Sequence, residues 1–437
     1  MVDAAPRCVL GIVNGVAMIV RGPRRVPRRR MVEIRIEGVR DTAYDDEMTV
    51  TVTGPAGLTT ALPVFWRTDR EGVGWHARFT PPLAGAWDLV AVDGTVRSAP
   101  LRLTVTDEAS RGFVRVDGDG FRFENGDPFI PAGPELPEDG TLDDYRAFFA
   151  RLAHDHATAT RLRLSPDWTV LTERAWLTDK ILELALTHDV AVMVTLGNRL
   201  SPASEEHARR LRYIAARWAA YPSVWSWQWW DDTGTNDAEL HAWTALMTPL
   251  LRAVDAYDHP ITTGYDSRIK TAIWGLPELD FASCRLGSAP DPVVVMPALA
   301  GKQRRIAAGK PVVLSFSGKE SDVLSAAVFA GFAGVLTESG FECGLAALAG
   351  IRIAGLTPAV PLKGGALALV GPQSALVWLR APVTVTVRGL ADGPYVAMWL
   401  SSGGAVVRTE SVVAARGSVR LTSTTSGVVR LARPVVP

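Results

Sequence analysis

Cysteine is scarce in this chain, which has only Cys8, Cys284 and Cys343 in 437 residues. An odd, widely spaced set without a C-x-x-C pair offers neither a disulfide framework nor a thiolate metal site. Histidine is nearly as thin, and His154, His156, His188, His207, His241 and His259 lack the paired spacing of metal ligands, so no metal is expected. Charge of one sign is not in excess either: 46 basic side chains face 46 acidic ones. That balance excludes a global field drawing the protein to nucleic acid or to an anionic membrane. The arginine cluster at 21–30, broken by Pro23 and Pro27, reads as a solvated turn between strands. No apolar run is long enough to span a bilayer. The segment 8–20 is too short, follows Arg7 alone, and reads as strand rather than signal peptide, so a cytoplasmic protein or leaderless export is expected. No glycine-rich phosphate loop follows a strand-like run, which argues against a nucleotide-binding sheet, and no cofactor is expected. A net charge of zero removes one barrier to self-association, leaving a homo-oligomer or protein assembly open.

What is present is a chain too long for one ordinary core, in which two or three domains are expected. Residues 1–108 alternate short β-type runs (31–36, 48–53, 75–79, 87–92, 101–105) with turn signals such as Gly54-Pro55-Ala56-Gly57, the pattern of a β-sandwich. Residues 106–111 read as a linker. Across 112–355, apolar strands alternate with amphipathic helices at 142–154, 175–187, 239–256 and 298–308. Eight strands are expected, at 129–133, 159–164, 190–196, 224–229, 260–264, 280–284, 311–314 and 334–336. Eight such units fit a (β/α)8 TIM barrel better than an open sheet. Residues 356–437 return to β character, with glycines marking the turns of a second sandwich. The expected fold is therefore multidomain α/β plus all-β, a central barrel flanked by two β-sandwich domains.

The most informative run is Val224-Trp-Ser-Trp-Gln-Trp-Trp-Asp-Asp232, a strand of β-favouring aromatics that ends in two acids. Acids at barrel strand ends are usually functional, and Glu135, Asp167, Asp231, Asp232, Asp266, Glu338 and Glu342 all fall at or just after expected ends. Each taken singly also reads as a helix cap or a solvated side chain. Trp225, Trp227 and Trp229 alternate and should share one packing face. Trp230 and Trp168, outside that alternation, are the better candidates for stacking on a sugar ring.

Several stretches together resemble a known family. They are Phe65-Trp66, Trp75-His-Ala-Arg-Phe79 and Gly85-Ala-Trp87 in the first part, then Arg111-Gly-Phe-Val-Arg-Val116 and Phe129-Ile-Pro-Ala-Gly133, and finally Gly393-Pro-Tyr395 and Trp399. The chain resembles a three-domain bacterial glycoside hydrolase of the (β/α)8 clan that contains cellulases, mannanases and β-glucosidases. That resemblance implies an immunoglobulin-like N-terminal domain, a poly- or oligosaccharide partner, and two catalytic carboxylates. Such a pair stands about 5 Å apart for retention and roughly 6.5–9.5 Å apart for inversion. Where the family has Asn-Glu at the fourth strand end, this chain has Asp231-Asp232, a side chain one methylene shorter at the acid/base place. A misplacement of about an ångström can cost on the order of 100-fold in rate. At the seventh strand end Ser315 or Phe316 stands in for the nucleophilic glutamate, and at the sixth Ser283-Cys284-Arg285-Leu286 replaces the orienting His and Tyr. Arg161 is kept, and Glu135 ends the first strand. The resemblance thus implies a carbohydrate-binding or structural protein that has lost the family's catalysis, with Arg161, Glu135, Trp168 and Trp230 on the substrate side. Two readings stay open beside it: a glycosidase using displaced acids, Asp232 with Glu338, and an assembly subunit in which the sandwiches supply the contacts.

Overall fold

In the computed structural model, residues 12–13, 16–38, 48–197, 204–230, 237–266, 273–318, 322–338, 346–401 and 403–434 are described. The chain is sheet-rich and mixed, with seven α-helices among the described residues.

Beside a short hairpin of Ile12–Val13 with Val16–Ala17, the described N-terminal strands form two antiparallel-dominated sheets. One runs in the order Arg25–Pro27, Leu101–Thr106, Gly85–Asp93, Thr49–Thr53, Thr59–Pro63, and the other in the order Ile19–Arg21, Val32–Glu37, Gly72–Phe79, Phe65–Asp69. Alternation drives the packing: in Val32–Glu37 the apolar residues Val32, Ile34 and Ile36 are buried, while the charged ones between them are not. Trp66, Trp75 and Trp87 lie in the core between the sheets. Gly54 lies so close to the Trp87 ring that a Cβ there would clash with it, which explains why this turn needs a glycine.

The central strands are parallel. They are β1 (Ala132–Pro134), β2 (Ala159–Arg163), β3 (Ala191–Thr195), β4 (Val224–Gln228), β5 in two runs (Ile261–Thr262 and Gly264–Asp266), β6 (Ala282–Leu286), β7 (Val312–Phe316) and β8 (Gly334–Thr337). β2, β3, β4 and the first run of β5 pair in that order, and the second run of β5, β6, β7, β8 and β1 continue it. A parallel bridge between Glu135 and Arg161 joins β1 to β2. Gly133 makes that approach possible, because a Cβ there would run into the Ala159 carbonyl oxygen.

The first expected strand is divided: Pro128–Phe129 pairs with the hairpin strand Gly120–Phe123, and β1 begins only at Ala132. The interruption falls at Pro131, which has no N–H to donate.

The helices are α1 (Leu142–His154), α2 (Trp168–Glu173), α3 (Ala175–Thr187), α4 (Glu205–Trp218), α5 (Asp237–Val254), α6 (Pro292–Ile306) and α7 (Val323–Phe329). A capping box fixes the start of α1: the Thr141 hydroxyl accepts from the Asp144 N–H, and the Asp144 carboxylate accepts from the Thr141 N–H at 2.8 Å. α6 starts six residues before its expected position, with Pro292 in the first turn behind the cap Asp291. Its Val-Val-Val run and second proline hid that start. None of the described helices is long and apolar enough to cross a membrane.

The tryptophans of β4 do not share one face. A register shift places Ser226, not Trp225, opposite Met193, breaking the strict alternation. Trp225 joins Phe121, Phe129 and Phe281 in an aromatic cluster that includes the hairpin Val114–Asp117/Gly120–Phe123. The indole N–H groups of Trp227 and Trp229 instead donate to Asp255 (3.0 Å) and to Thr248 of α5 (3.1 Å).

The C-terminal strands form a six-stranded sheet ending in β9 (Gly393–Leu400) and β10 (Val406–Ala414), with a two-stranded sheet Val383–Arg388/Ser418–Ser423 beside it. Leu367–Val370, uniformly buried, lacks the alternation that marks a strand in sequence.

Candidate functional site

The carboxyl ends of the parallel strands gather the chain's candidate polar groups. Glu135 follows β1 directly, and its N–H donates to the Thr337 carbonyl of β8 at 2.7 Å, while Leu136 N–H donates to the Arg161 carbonyl of β2 at 2.9 Å. Hung between β8 and β2, the Glu135 carboxylate meets Arg161, which is buried, and Arg163 Nη2 at 2.8 Å. Arg163 Nη1 reaches on to Glu138 at 3.2 Å.

A second ion pair stands on β6 and β8. Arg285 Nη2 lies 2.5 Å from Glu338 Oε1, and each side chain keeps 26% of its surface exposed. The Glu338 backbone N–H donates to the Phe316 carbonyl at 2.9 Å, so the end of β7 holds it in place.

Gln228 of β4 is fully buried. It accepts from Thr195 Oγ1 of β3 (2.8 Å) and donates to Ser283 Oγ of β6 (3.3 Å), tying three strands together. Ser315 is 2% exposed and its hydroxyl has no hydrogen-bond partner among the described residues, and Phe316 is 1% exposed.

Arg210, buried on α4, donates to the Ser165 carbonyl and to the Leu196 carbonyl, both at 2.8 Å, bracing the segments that follow β2 and β3. Burial pulls its pKa down to about 10, against an opposing pull from Glu206. One turn earlier, burial and the Arg210 charge push His207 down to about 4, and neither ring nitrogen has a hydrogen-bond partner among the described residues.

A cleft of about 400 Å³ opens beside β1, β2 and β3, with Glu138, Tyr145, Arg163, Ser165, Arg174 and Thr195 among its lining. Burial raises the Tyr145 pKa, and its hydroxyl donates to the Pro137 carbonyl at 2.8 Å. Trp168 starts α2, whose Val170 and Leu171 line the same cleft, and it packs half-buried and edge-on against Tyr213 at 5.1 Å. Trp230 is 6% exposed with its ring 4.5 Å from Trp243, a placement that leaves little face for a ligand.

Asp231, Asp232 and Glu342 lie outside the described residues, as does the side chain of Asp266. Asp167 caps α2, its carboxylate accepting from the Val170 N–H at 3.0 Å. Among the described residues no three His, Cys, Asp or Glu side chains gather as metal ligands. The sequence named Arg161 and Glu135 separately, without their pairing, and gave no sign of Gln228, Arg163, Arg210 or the pairing of Arg285 with Glu338. The one signal for Gln228 was a lone amide inside a tryptophan-rich strand.

No family model matches the chain, and no curated protein matches it. Among solved structures, it is similar to a β-glucuronidase from Ruminococcus gnavus in complex with D-glucuronic acid, at 12% identity and a TM-score of 0.44, over 73% of this chain and 60% of that one. It is also similar to a glycosyl hydrolase family 2 member from Bacteroides cellulosilyticus DSM 14838, at 12% identity and a TM-score of 0.43, over 94% of this chain and 63% of that one. The chain thus spans about 60% of the length of these solved chains. At these values the likeness says nothing of chemistry, which rests on this chain's own residues.

Proposed function

We propose that residues 112–355 form a (β/α)8 barrel of glycoside-hydrolase type between an immunoglobulin-like domain at 1–108 and a β-sandwich at 356–437, and that it binds an oligo- or polysaccharide without hydrolysing it. The observation that carries this reading is the end of β7. Phe316 has no nucleophilic atom, and among the described residues the buried Ser315 hydroxyl has no hydrogen-bond partner to take its proton. The described strand-end carboxylates support it, since Glu135 is engaged by Arg161 and Arg163 and Glu338 by Arg285. A glycosidase needs two carboxylates facing one another across an open groove. In this reading Arg161 positions Glu135, Arg163 borders the groove, and Trp168 flanks it. Trp230 contributes packing.

A second reading, an active glycosidase with Asp232 as acid/base and Glu338 as its partner, is favoured by the exposed quarter of the Glu338 side chain. The full-length protein is to be tested on a panel of aryl glycosides and oligosaccharides, with glycan binding followed by calorimetry. Saturable binding without turnover is expected. Turnover that disappears in Asp232→Asn would establish the second reading instead, and absence of both binding and turnover would sink both.

A further inference from the structure

We infer that β10 is a self-pairing edge, through which two copies of this chain join antiparallel about Thr409. β10 ends the six-stranded sheet and pairs only with β9 among the described strands. It is nine residues long and contains neither proline nor lysine. The opposite end of the same sheet is the two-residue strand Thr357–Pro358, short and closed by a proline, which is how native edges are usually blunted. On β10, by contrast, Val406, Val407 and Val413 are 56%, 71% and 70% exposed. Though bulged at Val407, this nine-residue edge leaves a row of backbone N–H and C=O groups unpaired among the described residues and open to another strand.

The sequence of β10 selects its partner. A two-fold axis perpendicular to the sheet must place one residue opposite its own copy. Centring on Arg408 or on Glu410 sets like charges face to face, which is unfavourable. Centring on Thr409 sets Arg408 opposite Glu410 twice, and the bulge at Val407 ends the regular pairing beyond them. Arg408 and Glu410 are already held on one face: their charged atoms lie 3.3 Å apart, Arg408 covers the Trp399 ring at 4.1 Å, and Glu410 accepts from the Trp399 indole at 3.0 Å. Both side chains thus lean over Trp399 of their own sheet, Arg408 also donating to the Thr422 carbonyl at 3.3 Å, and would turn outward to meet their counterparts on a second copy. This inference is independent of the saccharide reading, because β10 belongs to the C-terminal sheet and not to the parallel strands.

The test combines sedimentation with cross-linking on the full chain. The wild-type protein is expected to show a dimer fraction that rises with concentration. Thr409→Cys should give a disulfide-linked dimer on mild oxidation, since directly opposed residues lie about 4.5–5.5 Å apart between Cα atoms, within disulfide reach. Thr386→Cys, exposed on the neighbouring strand Val383–Arg388, should not. Glu410→Arg should weaken the dimer tenfold or more, and the swapped double variant Arg408→Glu/Glu410→Arg should restore it. A chain monomeric at every concentration, or a dimer that neither cross-links through Thr409→Cys nor responds to Glu410→Arg, would overturn the proposal.

Discussion

Arg78, on a strand of the N-terminal sandwich, donates to both carboxylate oxygens of Asp179 on α3, each at 2.8 Å. Arg217 of α4 reaches the same carboxylate at 2.8 Å and returns to Asp69 of the sandwich at 2.7 Å, while the Trp218 indole adds a further bond at 2.9 Å. The N-terminal sandwich and the parallel-strand unit are therefore joined through one buried charge cluster. Burial by itself would raise the Asp179 pKa, but Arg78 and Arg217 outweigh it and hold the group well below the carboxylate range.

Removing that carboxylate leaves two buried guanidiniums without their main counter-charge. Asp179→Ala should cost about 3–5 kcal/mol of stability, the usual penalty for breaking one side of a buried ion pair. Urea denaturation measures it, and a loss under about 1 kcal/mol would show that the arginines find other partners.

Stability should also fall in acid. Burial would raise Glu33 and Asp255, but His76, Arg78 and Arg67 bring Glu33 down to about 2, and His259 and Trp227 bring Asp255 to about 2. A carboxylate depressed in the folded state stabilises above its unfolded pKa, about 4, and that contribution is lost as pH falls toward the folded value. The melting temperature should drop steeply between about pH 4 and 2, and Asp255→Asn should flatten that drop.

His207 adds an earlier step. Its folded pKa of about 4 lies below the unfolded value near 6.5, so the unfolded chain binds the proton first and stability declines as pH falls between the two. His207→Phe removes two buried nitrogens that have no partner among the described residues, and the variant should melt higher than wild type at pH 5 with a flatter profile over that window. Thermal melts from pH 7 to 4 decide it.

Gln228→Leu strands the buried Thr195 and Ser283 hydroxyls together. The expected loss is about 1–3 kcal/mol, read from chemical denaturation.

Gly54→Ala tests the sandwich core. The Gly54 backbone is extended, at φ −132°, so alanine meets no conformational penalty there, only the Trp87 ring. Overpacking of this kind costs about 1–3 kcal/mol, and a changed tryptophan emission should accompany it.

Much of the architecture was legible because periodicity is local. The alternation of 31–36 and the helical spacing of 142–154 and 175–187 each specify an element without reference to the rest of the chain, and the structure has the strand at Val32–Glu37, one residue on, and both helices at those bounds. Elements whose burial is two-sided, such as Leu367–Val370, carried no such period, and the bulge at Trp225 broke the one that was read into β4. The site was less legible for a related reason: Asp167 looked like a strand-end acid, yet the same short side chain fits the first turn of α2, and only the fold chose between the two.

The sequence by itself determined the segments of regular period, such as the helices at 142–154 and 175–187, that no nucleophilic carboxylate stands at Ser315 or Phe316, and that charge is balanced, since all three follow from residue identity and local spacing. The tertiary structure decided which charges meet. Arg285 and Glu338 lie 53 residues apart, and Arg78 and Asp179 lie 101 apart, and no local rule links positions that distant until parallel strands and packed helices bring their side chains within bonding reach.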